Sequence, residues 1–261
     1  MLKESLLKIT EQCQGRFSVV IEMGDVVVDI DGDEVVTAAS LIKIPILLTA
    51  CKMSDDGRLD LDAVIRVAPA EKVGGAGVLS HLTDNLLLPL RDLLTLMMIV
   101  SDNTATNLCI DAVGPTNISD FLTSLQCTGT SLGRRLMDFA ARKAGRDNFV
   151  TANDVVRMMK ALCAGGLLRE QSKQWAISVF KGQQFNHTLP RLIPAGITGH
   201  NFIAHKTGEL PGVEHDAGFM ERGNRRAYVA VLSWNLTSNV AGQDVIGQIG
   251  KLVWDHLEGH N

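Results

Sequence analysis

Residues 40–53 read SLIKIPILLTACKM, and a helix built from them has very little polar surface. A helix that is apolar all round is buried on all sides, so the rest of the chain must wrap it. Pro45 is tolerated there only near the helix start, where a missing backbone donor costs little, and this places the first turn close to Ser40. Lys43 follows Ser40 by three residues, so hydroxyl and ammonium lie one turn apart on the same face and can touch. A partly desolvated lysine has its pKa lowered and can take the proton of a serine, which is a weak nucleophile without such a base. The helix N-terminus adds a backbone N–H and a positive dipole end beside any oxyanion formed at Ser40.

The elements around this helix can be read from periodicity. Leu2, Leu6, Leu7 and Ile9 mark one face of an N-terminal helix ended by Gly15. Residues 17–23 and 26–30 predict a hairpin turning at Gly24 and Asp25. Helices are predicted over 90–100, 104–113 and 118–125, and another opens at Asn153 as cap and closes at Gly165 and Gly166. Strands return at 202–205, 217–221 and 227–232, the last two joined through Gly223 and Asn224. A one-face helix containing Val245, Ile246, Ile249, Leu252 and Val253 ends the chain. Strands at both ends with helices between them predict an α+β fold, in which an antiparallel sheet built from distant segments is flanked by helices and joined to a mainly helical part.

Composition removes several function classes. A net charge of -4 and 5% aromatic residues offer neither a basic face for a phosphate backbone nor platforms for stacked bases, so nucleic acid is not an expected partner. Charged residues interrupt every apolar run before the roughly 18 residues that a membrane span needs. Five widely spaced cysteines, Cys13, Cys51, Cys109, Cys127 and Cys163, form no C-x-x-C pair and read as small buried apolar residues. His200, His205 and His215 fall in one region without zinc-site spacing, so neither metal nor cofactor is expected. Residues 1–10 lack the apolar core and cleavage site of a signal peptide, which fits a cytoplasmic protein or a processed exported one with a start methionine added.

Two further motifs accompany S-x-x-K. Ser101, Asp102 and Asn103 stand just before a helix, and Lys206, Thr207 and Gly208 stand at the end of a strand. Each alone is an ordinary cap or turn, but the three in this order resemble the motif set of class A β-lactamases and penicillin-binding proteins. The segments ASLIKIPIL (39–47), VSDNTATNLCIDAVG (100–114) and HKTG (205–208) are similar to that family as well, so the resemblance covers most of the chain. It implies a β-lactamase/transpeptidase-like fold in one domain, 1–261, with an α/β part about 1–38 and 183–261 and a helical part about 39–182. It also implies roles: Ser40 attacks the carbonyl, Lys43 removes its proton, Ser101 relays a proton to the leaving nitrogen, and Asn103 holds the substrate's side-chain amide. Lys206 and Thr207 would bind the substrate carboxylate, Gly208 would allow close approach, and the amides of Ser40 and Glu209 would form the oxyanion hole. The implied partner is a small β-lactam or D-alanyl peptide, and a monomer is the family's default.

The resemblance breaks at one place. In class A β-lactamases a glutamate on an Ω-loop activates the water that frees the acyl group. The similar segment here runs from Thr130 through Arg134 to Asp147, with Arg134 and Asp147 expected to pair at its neck, and residues 135–145 contain no glutamate. Ala140 falls in a stretch where the resemblance leads one to expect that glutamate. Asp138, the acidic residue between Arg134 and Asp147, is one methylene shorter and is either a replacement base or a residue that braces the loop. The expectation is therefore a serine hydrolase acylated at Ser40 whose deacylation is impaired. The alternatives are a D-Ala-D-Ala peptidase or esterase of penicillin-binding type, or a relative that binds β-lactams without hydrolysing them.

Overall fold

The computed structural model describes residues 2–194, 196–197 and 199–259. Met1 lies outside the described residues. In chain order the major elements are helix α1 (Leu2–Thr10), strands β1 (Arg16–Met23), β2 (Val26–Ile30) and β3 (Val36–Thr37), helix α2 (Lys43–Asp55), and strands β4 (Val64–Val67) and β5 (Leu86–Pro89). Helices α3 (Leu90–Ile99), α4 (Asn103–Val113), α5 (Pro115–Ser124) and α6 (Phe139–Lys143) follow, then β6 (Phe149–Val150), α7 (Ala152–Cys163) and α8 (Glu170–Lys181). Strands β7 (Phe202–Leu210), β8 (Val213–Arg222) and β9 (Arg225–Trp234) lead into α9 (Asn239–Glu258).

The main sheet is antiparallel in the order β2-β1-β9-β8-β7, so the late strand β9 sits between the first strand and β8. Alternation along these strands sends Val19, Ile21, Val229 and Val231 to one face, where they pack with Leu6 of α1 and Val245, Ile249 and Trp254 of α9. Val20, Ala217, Phe219, Ala230 and Leu232 face the other way, into a larger core with α2 and α7. Coverage on both faces explains why β1 buries residues 17–21 in succession, including Val19, Val20 and Ile21, rather than alternating buried with exposed ones. Within the helical part α2 packs against α3, α4, α5, α7 and α8, and eleven of its thirteen residues are buried, as an all-round apolar helix requires.

Several sequence expectations need correction. The helix predicted from Ser40 begins at Lys43, and Ser40 belongs to a 3-10 turn over Ala39–Ile42. Ala39 has a φ of 46°, a left-handed conformation that breaks the chain away from β3 and tightens this entry. The tripeptide Lys206-Thr207-Gly208 lies inside β7 rather than at its end, because pairing with β8 continues to Leu210 and Val213. Asn153 is not the cap of α7: Thr151 Oγ1 accepts from Asp154 N–H, while Asn153 Nδ2 donates to Asp29 and Asp33. The helix expected from Ile118 starts at Pro115, where proline fills the first helical position. Helices α6 and α8 and the pairs β3–β6 and β4–β5 were not foreseen.

Candidate active site

The 3-10 turn, the α3–α4 junction and the edge strand β7 converge on one point. Lys43 is fully buried, and its Nζ donates to Ser40 Oγ (3.0 Å), Ser101 O (2.7 Å), Ser101 Oγ (2.9 Å) and Asn103 Oδ1 (3.1 Å). Four acceptors exceed the three protons of an ammonium, so they cannot all be bonded at once. Burial lowers the Lys43 pKa well below its ordinary value, the nearby Lys206 cation lowers it further, and Asp102 opposes the shift. When neutral, the amine has a lone pair 3.0 Å from the Ser40 hydroxyl and can accept its proton.

Ser101 bridges the site. Its Oγ donates to Ser40 Oγ at 2.8 Å and accepts from Lys206 Nζ at 3.1 Å, so a chain of polar atoms runs Lys43–Ser101–Lys206 beside the nucleophile. A φ of 55° at Ser101 holds the hydroxyl there, a conformation costly for a non-glycine residue and typical of functional positions. Lys206 is also fully buried, and its Nζ donates to Thr207 O at 2.9 Å. Burial pushes its pKa down to about 7, against the pull of Asp216.

Asp102, between these residues, is structural. Its Oδ1 caps α4 through Ala105 N–H at 2.9 Å, and its Oδ2 accepts from Val78 N–H (2.7 Å) and Leu79 N–H (2.8 Å). Asn103 completes the tether, donating from N–H to Ala76 O (3.0 Å) and from Nδ2 to Gly74 O (3.2 Å). The stretch 74–77 is thus fastened over the site, and Gly77 is required there: a Cβ on it would lie 2.3 Å from Asp102 Oδ2, at a φ of 111°.

Two cavities meet at Ser40. The first, about 480 Å³, is lined by Ser101, Phe185, His187, Thr207, Glu209 and Asn239 among others. The second, about 190 Å³, lies toward the loop 134–147 and is lined by Asn103, Leu136, Met137, Phe139 and Glu209 among others. Gly208 separates the strand from the nucleophile so narrowly that a Cβ on it would sit 3.2 Å from Ser40 N. Ser40 and the next strand residue, Glu209, line both cavities.

The loop between Arg134 and Asp147 is clamped as the resemblance implied, with Arg134 Nε 2.7 Å from Asp147 Oδ1. Asp138 turns its carboxylate to Ala141 N–H (2.8 Å), capping α6, and is not among the residues lining either cavity. Leu136 does line the second cavity, and Asn107 holds its backbone. Sequence reading missed both; the available signal was Asn107 one turn beyond Asn103 on α4, and Leu136 two residues past Arg134. The histidines do not gather: His205 lies 2.9 Å from Asp216 Oδ1, whereas His215 Nε2 reaches Thr37 O.

A profile of the beta-lactamase enzyme family matches residues 1–257. The chain belongs to that family. It is a serine β-lactamase-like hydrolase in fold and class. Among solved structures, it is similar to a beta-lactamase from Sphaerobacter thermophilus DSM 20745, at 30% identity over 98% of this chain and 97% of that one, with a TM-score of 0.91. It is also similar to PBP-A, at 25% identity over 98% and 96% of the two chains, with a TM-score of 0.88. A single-residue mutant of PBP-A, solved as an acyl-enzyme complex with penicillin G, matches at 25% identity over 98% of this chain and 96% of that one, with a TM-score of 0.87. No curated protein sequence matches the chain. Among the described residues no helix is long and apolar enough to cross a membrane.

Proposed function

We propose that this β-lactamase-family protein is acylated at Ser40 by β-lactams and releases the acyl group slowly. The observation carrying this reading is the 3.0 Å contact between Ser40 Oγ and a fully buried Lys43 whose pKa is lowered. Lys43 takes the hydroxyl proton as Oγ attacks the lactam carbonyl, and the amides of Ser40 and Glu209 hold the oxyanion. Ser101, between Lys43 and Lys206, passes a proton to the leaving nitrogen, while Asn103 faces the acyl side chain. Thr207 and Lys206 receive the leaving-group side of the substrate.

Slow deacylation is supported by what lines the second cavity. Water activation needs a base within roughly 2.6–3.2 Å of the water. The carboxylates there are Asp147, held by Arg134 and Arg142, and Glu209 on the strand; Leu136, Met137 and Phe139 of the loop line the same cavity with apolar residues. Asp138 serves the helix cap instead. This favours a second reading in which the protein is functionally of penicillin-binding type, acting on D-alanyl peptides or esters with the same Ser40 and Lys43.

Intact-mass measurement after exposure to penicillin G tests the first reading, with a persistent adduct on Ser40 expected. A nitrocefin assay should show a burst of about one equivalent followed by slow turnover. Absence of any adduct, or brisk steady hydrolysis, would overturn it.

A further inference from the structure

A buried pair of side chains that the acylation chemistry does not use is bonded to the segment lining the larger cavity. Asp216, fully buried on β8, accepts through Oδ2 from Thr188 Oγ1 and from Leu189 N–H (3.0 Å), and its Oδ1 lies 2.9 Å from Nδ1 of His205, itself buried on β7. A carboxylate has no proton to give, so Nδ1 is the donor. The other ring nitrogen, Nε2, lies 3.2 Å from Asn186 Oδ1, while Asn186 Nδ2 donates to Gln183 O at 3.3 Å. Asn186 therefore presents its oxygen to the ring, and Nε2 has to donate as well. A neutral imidazole carries one N–H and satisfies one of these two acceptors; the imidazolium satisfies both.

Asn186 stands between Phe185 and His187, which line the cavity of about 480 Å³ together with Ser40 and Ser101 and whose rings lie 6.2 Å apart. On the other side Phe185 N–H donates to Oε1 of the buried Gln183 (3.0 Å), whose Nε2 donates to Met98 O (3.1 Å). We propose that His205 is a positioning residue for acylation: as an imidazolium held by Asp216 it fastens Asn186, and so keeps Phe185 and His187 in place as one wall of the cavity that receives the acyl donor. This rests on acylation at Ser40, and His205 acts there through Asn186 without touching a reacting atom. Once Nε2 loses its proton, its lone pair faces Asn186 Oδ1 and the wall is released. The donor then has to order that wall on binding, which weakens affinity and leaves the chemical step unchanged. The charged or titratable groups around His205 are Lys206 beside it on β7, Asp216 and Glu214 on β8, Lys181 at the end of α8, and His187 and Arg191 on the anchored segment. Lys206 and Glu214 also titrate near 7, so the link is read by comparing variants at each pH.

Saturation of the Ser40 acylation rate with penicillin G, followed by intact mass, separates the dissociation constant from the limiting rate. In Asn186→Ala and in His205→Gln the dissociation constant should rise about tenfold, the size of one hydrogen bond to a charged group, with the limiting rate within about twofold of wild type. The double variant should rise no further than either single one, because both remove the same link. Asn186 is exposed, so its variant tests the link even where His205→Gln does not fold. NMR of the nitrogen-labelled protein, with the His205 signals identified by their loss in His205→Gln or by their shift in Asn186→Ala, shows the pH at which Nε2 gives up its proton. The wild-type dissociation constant should rise at that pH, and the rise should be missing in Asn186→Ala. Additive effects in the double variant, an effect on the limiting rate instead of the dissociation constant, or a dissociation constant indifferent to the Nε2 proton overturns the proposal while leaving acylation at Ser40 standing. Failure of penicillin G to label the wild-type protein overturns the acylation reading, and the role of His205 in acylation with it.

Discussion

Asn107 holds the backbone of Leu136 at both ends, accepting from its N–H at 2.8 Å through Oδ1 and donating to its carbonyl at 3.1 Å through Nδ2. A helix residue thereby fixes one loop position, an apolar residue that lines the second cavity at Ser40. Leu136→Glu would place a carboxylate at that fixed position. Steady-state nitrocefin turnover should then rise by about 10²-fold or more, the usual contribution of a positioned base, with the burst amplitude preserved. Adding Asn107→Ala should reduce the gain, because the loop position would no longer be held.

Lys43→Met keeps the side-chain length and removes the base. Acylation by penicillin G should slow by about 10²- to 10⁴-fold, measured as adduct formation over time. In the wild-type protein the rate should rise with pH as Lys43 loses its proton. Burial and Lys206 lower that pKa, so the rise should be complete well below 10.5, the ordinary lysine value. A rise centred near 10.5 would contradict Lys43 as the base.

Asp138→Asn separates a base from a cap. Asparagine also accepts from a helix N–H, so α6 should remain capped and the melting temperature should change by only a few degrees. Turnover of nitrocefin should stay within about twofold of wild type; a fall of about 10²-fold would return Asp138 to the role of water-activating base.

Glu214 titrates in the opposite sense to the lysines. Burial pushes its carboxyl up to about 7 from 4.5, so between these values the folded protein binds a proton that the unfolded chain has lost. Its contribution to stability therefore falls as pH rises from 4.5 to 7 and stays low above. Lys206, at about 7 folded and 10.5 unfolded, adds stability as pH rises from 7 to 10.5, because there the unfolded chain holds the extra proton. Thermal melts across pH should show the fall between 4.5 and 7 in the wild-type protein and a smaller one in Glu214→Gln.

Motifs whose chemistry depends on spacing along one element were legible: Ser40 and Lys43 one turn apart, and Lys206 and Thr207 adjacent on a strand. The hairpin at residues 17–30, the three late strands and the final helix were also visible, because burial on a defined face writes a period into the sequence. Relations between distant segments were not. Nothing local tells that Asn107 reaches Leu136, or that Asp102 fastens residues 78 and 79. The cap of α7 was misplaced because Thr151 and Asn153 are equally good local signals, and only the carboxylates of Asp29 and Asp33 draw Asn153 away. Helix α8 was missed because its sequence mixes polar and apolar residues with just three buried positions.

Strand β9, by lying between β1 and β8, makes the N-terminal hairpin and the Lys206 strand parts of one sheet through residues near the end of the chain. During synthesis, the nucleophile at residue 40 therefore emerges long before the partners that activate it can be seated. A covalent β-lactam label on Ser40 should accordingly appear only on ribosome-released or nearly full-length chains. Followed against chain length, it would time the moment at which tertiary structure closes.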